Sequence, residues 1–548
     1  MRTRLRRLAG NIVDLENRRI YPGVVEWSGG HIRRIVPTPG RRYAHYIAPG
    51  FVDAHVHIES SLLPPAEFAR LAVVHGTVAT VSDPHEIANV LGAAGVRWMI
   101  AQGRRSPLHF SFGAPSCVPA TDRETAGAAL GPEAVARLLA RPDVSHLSEV
   151  MNYPAVLAGD PGLRSKIAAA RRHGKPVDGH APGLRGADAR AYAAAGIGTD
   201  HECVTPAEAR GKIAAGMKIL IREGSAARNF AALAPLLRTH PESCLFCCDD
   251  LHPDRLVRRH LDEHVRRALA AGADRFDVLA AASLNPIEHY KLGVGRLRPG
   301  DSADFIVFTG WKTLRVRRTY LRGELAARDG RTRLPRLPVV EVNRFRARPR
   351  RAEDFRVAAA PGRLNVIGVI DGQLVTRHLR RRPRVVHGAV VADPGRDLLK
   401  VVVVNRYAPR APVAVGFVHG FGLRAGALAS SVAHDSHNLV AVGADDASLA
   451  AAVNLVIAHR GGLAVAGPGG AQILPLPIAG LMSTQDGYAV ARAYTALDAR
   501  VRRLGGRLAA PFMTLSFLAL LVIPDLKLGD RGLFSGARWA PVPLFTEG

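Results

Sequence analysis

The stretch Phe51-Val52-Asp53-Ala54-His55-Val56-His57 decides how the first half of the chain is read. An apolar lead runs into a polar end, as in a buried strand that finishes at a site. Residues i and i+2 of a strand face the same side, so His55 and His57 belong to one face. Working outward, the same grammar recurs in TVATVSDPHE (77–86), LHFSFGAPS (108–116), SHLSEVMN (145–152), PVDGHAPG (176–183), GIGTDHE (196–202), MKILIREGS (217–225) and CLFCCDD (244–250). Between these runs lie Ala-, Leu- and Arg-rich helical patterns such as PPAEFARLAVVHG (64–76) and PGLRSKIAAARRHG (161–174), closed by the Gly expected at a helix C-terminus. Strands alternating with helices imply a parallel sheet, and eight such units over about 240 residues match a (β/α)₈ barrel with its chemistry at the strand C-termini.

The flanks read differently. Residues 1–48 are short strand-like runs with turn signals at Pro22-Gly23 and Gly29-Gly30, and residues 296–335 give two further strands about a Pro-Gly turn that could pair with them. The expected organisation is an α/β chain. It has an N-terminal part of a small β-domain (1–48), the barrel (49–295), return strands of the small domain (296–335), an Arg- and Pro-rich linker (336–362) and a C-terminal α/β or α+β domain (363–548).

With 548 residues and 47% hydrophobic content the chain is excluded from the disordered class. Its five Cys, Cys117, Cys203, Cys244, Cys247 and Cys248, are few and odd in number, which suits a reducing, cytoplasmic setting better than a disulfide framework. The basic start MRTRLRRLAG runs into polar residues before a secretion signal can form, and the apolar stretch 512–523 is shorter than the ~18 residues a membrane span needs. The net charge of +27 raises nucleic acid as a partner. However, the Arg residues are spread along the chain, with dense patches only at 344–351 and 377–384, and no basic-aromatic module accompanies them. The charge is read as a solvated surface; neither a specific nucleic acid nor a membrane is expected.

Polar residues with metal-ligating chemistry collect at the strand ends: His55 and His57 on the first, Glu149 on the fourth, His180 on the fifth, His201 on the sixth and Asp249 on the eighth. Packing alone gives no reason for six such groups around one barrel face. A mixed His and carboxylate set suits Fe, Mn or Zn. Asp53, two residues before His55 on the same strand face, is a candidate orienter of a ligand, or else a strand-end turn residue. Asp250 points to the opposite face if the eighth strand continues, and is read as support for the site.

The motifs DAHVHIESS (53–61), DPHEIANVLG (83–92), EVMNYP (149–154), DGHAPGL (178–184), DHECVT (200–205), REGSAARN (222–229), CDDLHP (248–253) and SLNPIEHYKLG (283–293) are followed by GFVHGFGL (416–423), ASSVAHDSHN (429–438), PLPIAGLMS (475–483) and PFMTLSFLALLVIPDLKL (511–528). In this order and almost end to end, they resemble the adenine deaminase family of the amidohydrolase superfamily. The resemblance implies a distorted (β/α)₈ barrel beside a small β-domain built from both flanks, with a family-specific C-terminal domain. It implies two divalent metal ions, Mn or Fe with Zn also suited. His55 and His57 hold the more buried ion, His180 and His201 the second, and Asp249 both binds metal and moves protons. Many superfamily members bridge their metals with a carbamylated Lys; the fourth strand here offers Glu149 and no Lys, and a Glu bridge is implied.

The implied reaction is hydrolytic deamination of adenine to hypoxanthine and ammonia in purine salvage, with water as co-substrate and a homodimer as the assembly. Glu59, His85 with Glu86, and the Arg222-Glu223-Ser225 group are candidates for reading the purine; alternatively Glu86 starts a helix and the Arg222 group forms an ion pair at the barrel rim. Leu251 stands where the family commonly carries Arg, which bears on selectivity. A paralogue acting on an N6-substituted adenine or another cyclic amidine or amide, and a non-catalytic polyanion-binding protein, are the competing readings. Three short patterns mislead. The Cys244–Cys247 CxxC with the His57–Glu59 HxE falls inside barrel strands, Gly467–Gly470 lacks the Lys-Ser/Thr of a phosphate loop, and HDSHN (434–438) lacks a nucleophile elbow, which leaves both a structural and a site-facing role open.

Overall fold

The computed structural model describes residues 4–546. Eight parallel strands form its centre: Phe51–Val56, Thr77–Ser82, His109–Phe112, Leu147–Val150, Val177–Gly179, Thr199–Asp200, Lys218–Arg222 and Cys244–Cys247. The first three pair in order, as do the fourth with the fifth and the sixth through the eighth. Bridges Ala114–Leu147 and Val56–Asp249 join third to fourth and eighth to first, and the Gly198 N–H donates to Val177 O at 2.9 Å between fifth and sixth. The ring therefore closes.

The first two strands are buried along their whole length, as parallel strands covered on both faces must be, which is why they read as near-continuous apolar runs. Inside the ring Ala54, Val81, Leu220, Leu245 and Cys247 pack with Tyr290. Helices cover the outside. Pro161–Arg172 begins with Pro at its first position, and the Asp160 carboxylate accepts the Leu163 N–H at 2.7 Å; Pro206–Ala214 repeats the device with Thr205. These caps fix where each helix starts.

The flanks share one eight-stranded sheet. Phe305–Thr309, from beyond the ring, lies antiparallel to Tyr46–Pro49, from before it, so the sheet interleaves the two ends of the first half. Trp27, Phe305 and Tyr320 pack at its core with ring centroids 4.6–5.6 Å apart. From about residue 336 the chain runs extended along the surface, held on one side by Trp98 Nε1 donating to Val340 O (3.2 Å) and on the other by the Ala479 N–H donating to Val342 O (2.6 Å).

A second eight-stranded sheet follows, mixed in direction, with Arg377–Arg381 at one edge and Gly470–Pro475 at the other. Helix Asp446–Ala458 covers one face through Leu449, Val453 and Val456. From the end of strand Ala427–Ser430, residues 431–438 leave this sheet, and they are buried throughout. The apolar stretch 512–523 forms helix Pro511–Phe517 and the turns after it, also within the core. No helix among the described residues is long and apolar enough to cross a membrane, and all five Cys are buried free thiols.

Candidate metal centre

The six strand-end residues meet at the mouth of the ring. His55 Nε2 and His57 Nε2 lie 3.2 Å apart, and both face Asp249 Oδ1 (3.6 and 3.1 Å) and Glu149 Oε1 (3.9 and 3.3 Å). The other Glu149 oxygen, Oε2, lies 2.8 Å from His180 Nδ1 and 3.2 Å from His201 Nε2. One carboxylate thus divides its two oxygens between two histidine pairs. His57 Nδ1 sits 3.1 Å from Asp83 O, a carbonyl that only accepts, so Nδ1 carries the ring proton and Nε2 presents its lone pair to the cluster. Two imidazole nitrogens at 3.2 Å, ringed by carboxylate oxygens, are an arrangement a cation would stabilise, and the groups His55–His57–Asp249, His55–Glu149–His201 and His57–Asp83–His85–Glu149 each bring their donor atoms within 4.8 Å of one another. The chemistry of the donor set fits a divalent metal.

The cluster is closed off from solvent: His55 is 1% exposed and His180, the most open of the six, 7%. Burial by itself would push the Glu149 carboxyl up; His180 and His201 outweigh it and hold Glu149 well below the usual carboxylate range. Burial likewise opposes ionisation of Asp249, and Arg222 with the two His of the first strand overcomes it. Asp249 itself has φ +55°, in the left-handed region, so the eighth strand has already ended at Cys247. This turn swings its carboxylate inward.

The same turn decides the condition on which the direction of Asp250 hung. The strand does not continue, and instead of facing away by alternation its Oδ1 accepts the Ser60 hydroxyl at 2.5 Å. Asp53 is a correction. It does not share a face with His55, because the pairing of the first strand with the second slips between Asp53 and Val56. Asp53 turns toward His260 Nε2 (3.0 Å), while its Oδ1 accepts the Cys248 N–H (3.0 Å) and, at 3.4 Å, that of His55. It ties the backbone of the first strand to that of the eighth.

Arg222 forms the rim ion pair rather than a free donor: Nη1 reaches Asp249 Oδ2 and Glu202 Oε1, both at 2.6 Å, and Nη2 reaches Glu202 Oε2 at 3.0 Å. Glu223, the first residue after the strand, turns to the opposite side and pairs with Arg267 at 2.6 Å, so it does not meet the centre. Ser225 also serves the frame, its Oγ accepting the His252 N–H at 2.9 Å. Glu59 lies closer in. Its Oε1 accepts the Ile87 N–H at 3.2 Å, its Oε2 is buried without a partner, and burial, reinforced by Glu86, pushes its carboxyl up to about 7. His85 is drawn into the cluster, with Nδ1 2.9 Å from Asp83 Oδ2 and 3.5 Å from Glu149 Oε1.

Several participants went unassigned in the sequence. Asp83 and Glu202 stand beside residues that were singled out, and their position at strand ends was the available signal. His434, Asp435 and His437 lie in the HDSHN stretch whose role the sequence left open between structural and site-facing: they arrive from the C-terminal sheet, and Glu86 meets His437 across 351 positions of chain.

A closed ring of eight parallel strands with His-x-His on the first and carboxylates on the fourth and eighth defines an amidohydrolase, and residues 46–326 match the family described as "Amidohydrolase family". Residues 373–539 match the family described as "Adenine deaminase C-terminal domain". Proteins named adenine deaminase are similar over nearly the whole chain. The one from Salinibacter ruber is 57% identical over 98% of this chain and 99% of its own length, and that from Sulfurovum sp. is 52% identical over 96% and 98%. The one from Methanosarcina acetivorans is 48% identical over 99% and 100%. The chain belongs to the adenine deaminase family of amidohydrolases.

Proposed function

We propose that this chain hydrolyses adenine to hypoxanthine and ammonia, as an enzyme of purine salvage, at a centre of two divalent cations. The observation that carries the metal count is the division of Glu149 between the His55–His57 and His180–His201 pairs. The closed ring is read as the distorted (β/α)₈ barrel of amidohydrolase type over 49–295. The shared flanking sheet is the small β-domain (1–48 and 296–335), 336–362 the linker, and 363–548 the C-terminal domain.

His55, His57, His180, His201, Glu149 and Asp249 would hold the ions; Mn or Fe is favoured and Zn suits the same donors. When bound, such cations supply Lewis acidity that lowers the pKa of water to near neutrality. The protein's own part is positioning and proton transfer. Asp249 Oδ2 is engaged by Arg222, which leaves Oδ1 to take a proton as the water oxygen bonds to carbon 6 of adenine. The same oxygen returns that proton to the amine as the carbon–nitrogen bond breaks. Glu59, with its raised carboxyl pKa and unpartnered oxygen, is suited to pass a proton to a ring nitrogen and to recover one from the carbon 6 hydroxyl as the carbonyl forms, and His85 to line the base. The buried free thiols are in keeping with a cytoplasmic setting.

The test is ammonia release from adenine by metal-replete protein, run against 6-methyladenine, guanine and cytosine. Adenine should be preferred, chelator-stripped protein should be inactive, and elemental analysis should return about two ions per chain. No ammonia from adenine would overturn the substrate, and one ion at full activity would overturn the binuclear centre.

A further inference from the structure

The amidohydrolase half and the C-terminal half meet at Glu86. Glu86 opens the helix His85–Leu91 after the second ring strand, and its carboxylate is buried. Both oxygens are taken by the C-terminal half: Oε1 lies 2.6 Å from His434 Nδ1, and Oε2 contacts His437 Nε2. The direction of the second bond follows from the far side of the ring. His437 Nδ1 accepts the Ala433 N–H at 3.2 Å, so its lone pair is there, and Nε2 carries the hydrogen that Glu86 receives. That tautomer also argues against Glu86, His434 and His437 as a third metal site, because a ligating Nε2 would need the lone pair that Nδ1 is using.

The loop is held to this task. His437 sits at φ +52°, a conformation costly for a residue with a side chain and kept only where the surroundings over-determine it. Those surroundings are the Tyr407 hydroxyl donating to Ser436 O (2.7 Å), Asn438 Nδ2 donating to Thr125 O (2.8 Å) and Phe517 stacked on His434 at 5.1 Å. On its other side Glu86 Oε1 lies 3.4 Å from His85 Nε2, and the His85 ring stands edge-on to His57 with centroids 4.6 Å apart. The contacts form one line: His434 and His437, Glu86, His85, Glu149.

We propose that His434 and His437 are positioning residues for the deamination: by fixing Glu86 between them they set the His85 ring against the Glu149 side of the centre, so the C-terminal half completes the catalytic site. The proposal rests on the adenine-deaminating reading.

The full-length chain carries the test, because imidazole donors have side-specific mimics. An Asn amide places a donor where Nδ1 stood and a Gln amide where Nε2 stood. His434→Leu and His437→Leu should keep wild-type metal content and KM for adenine while kcat falls about 10- to 100-fold, the range for losing a group that orients a ligand or catalytic residue. His434→Asn and His437→Gln should recover most of that kcat. Should a Leu variant fail to fold, Glu86→Gln, nearly identical in shape, puts an amide N–H against one of the two donors and should show the same fall in kcat. Folded Leu variants or Glu86→Gln with wild-type kcat, Asn and Gln variants no better than Leu, or loss of one bound ion from any of them would overturn the proposal. Wild-type protein assayed alongside separates the two ideas: if it releases no ammonia the functional reading fails, and if it does while the Leu variants match it, only the positioning role fails.

Discussion

Arg222 Nη1 lies 2.6 Å from Asp249 Oδ2, and the second Asp249 oxygen faces His57 Nε2 at 3.1 Å. A planar guanidinium therefore sets the rotation of the carboxylate assigned to proton transfer, while Nη1 and Nη2 together reach both oxygens of Glu202. The arrangement commits both terminal nitrogens of Arg222 to carboxylates of the protein itself.

Arg222→Met should leave Asp249 and Glu202 buried without their cation, a loss of about 3–5 kcal/mol when one partner of a buried pair is removed. Calorimetry should show a lowered Tm. Arg222→Lys keeps the charge but cannot reach three oxygens in one plane, so kcat should fall with a smaller change in Tm. A Lys variant with unchanged kcat would mean that carboxylate rotation does not matter.

Glu149→Gln should separate metal from fold. The amide keeps the volume of the carboxylate but offers one oxygen where two are needed, between His57 on one side and His180 with His201 on the other. Elemental analysis should give fewer than two ions per chain and ammonia release should fall at least 100-fold, about the loss for disturbing a metal site's supporting groups or more, with far-UV circular dichroism unchanged. Two ions retained in the Gln variant would contradict the bridging role.

These residues also mark what could be read in advance. The ring was legible because a strand buried on both faces writes itself as a continuous apolar run, and His55 and His57 because two His close such a run, although the strand ends at Val56 and His57 already belongs to the turn after it. Asp53 was misplaced because alternation presumes unbroken pairing, and the slip between Asp53 and Val56 breaks it. The direction of Asp250 hung on whether the strand continued, and nothing local signals that Asp249 adopts a left-handed φ and ends it. Glu223 was the reverse case: alternation, applied to Arg222, would have turned it away from the centre. For His434 and His437 the sequence marked the stretch but not the partner, since their chemistry depends on a contact with Glu86 far away in the chain.

Lys212 links two of the ligand-bearing strand ends. Its Nζ donates to Ala181 O (2.6 Å), Asp200 Oδ2 (2.9 Å) and Glu208 Oε1 (3.1 Å), and Asp200 Oδ1 accepts the Ala181 N–H at 2.8 Å. Ala181 follows His180 and Asp200 precedes His201, so one ammonium holds both backbones. Lys212→Met should leave two buried carboxylates unpaired, lower stability by about 3–5 kcal/mol and reduce metal affinity through His180 and His201. A competition titration with a chelating dye would measure the affinity; a variant that loses stability but binds metal as tightly as wild type would restrict Lys212 to the fold.

His252 offers a stability test that does not depend on turnover. Burial, aided by His434 and Arg255, pushes its pKa down to about 3, and its ring stacks on Tyr494 with centroids 4.8 Å apart. The sign follows from linkage. In the unfolded chain the imidazole takes up a proton below about 6.5, whereas the folded protein leaves it neutral until about pH 3. The unfolded state therefore binds more protons across that window, and stability drains away as the pH falls through it, by up to about 1.4 kcal/mol per unit. Buried carboxylates act in the opposite sense, Asp178 and Glu59 both being raised to about 7, so the slope for wild type alone is a sum of opposing parts. The difference between variants isolates His252. His252→Phe keeps an aromatic ring on Tyr494 and removes the titration, so it should lose less Tm than wild type between pH 7 and pH 5 in scanning calorimetry. Equal losses in the two proteins would mean that burial does not hold His252 neutral.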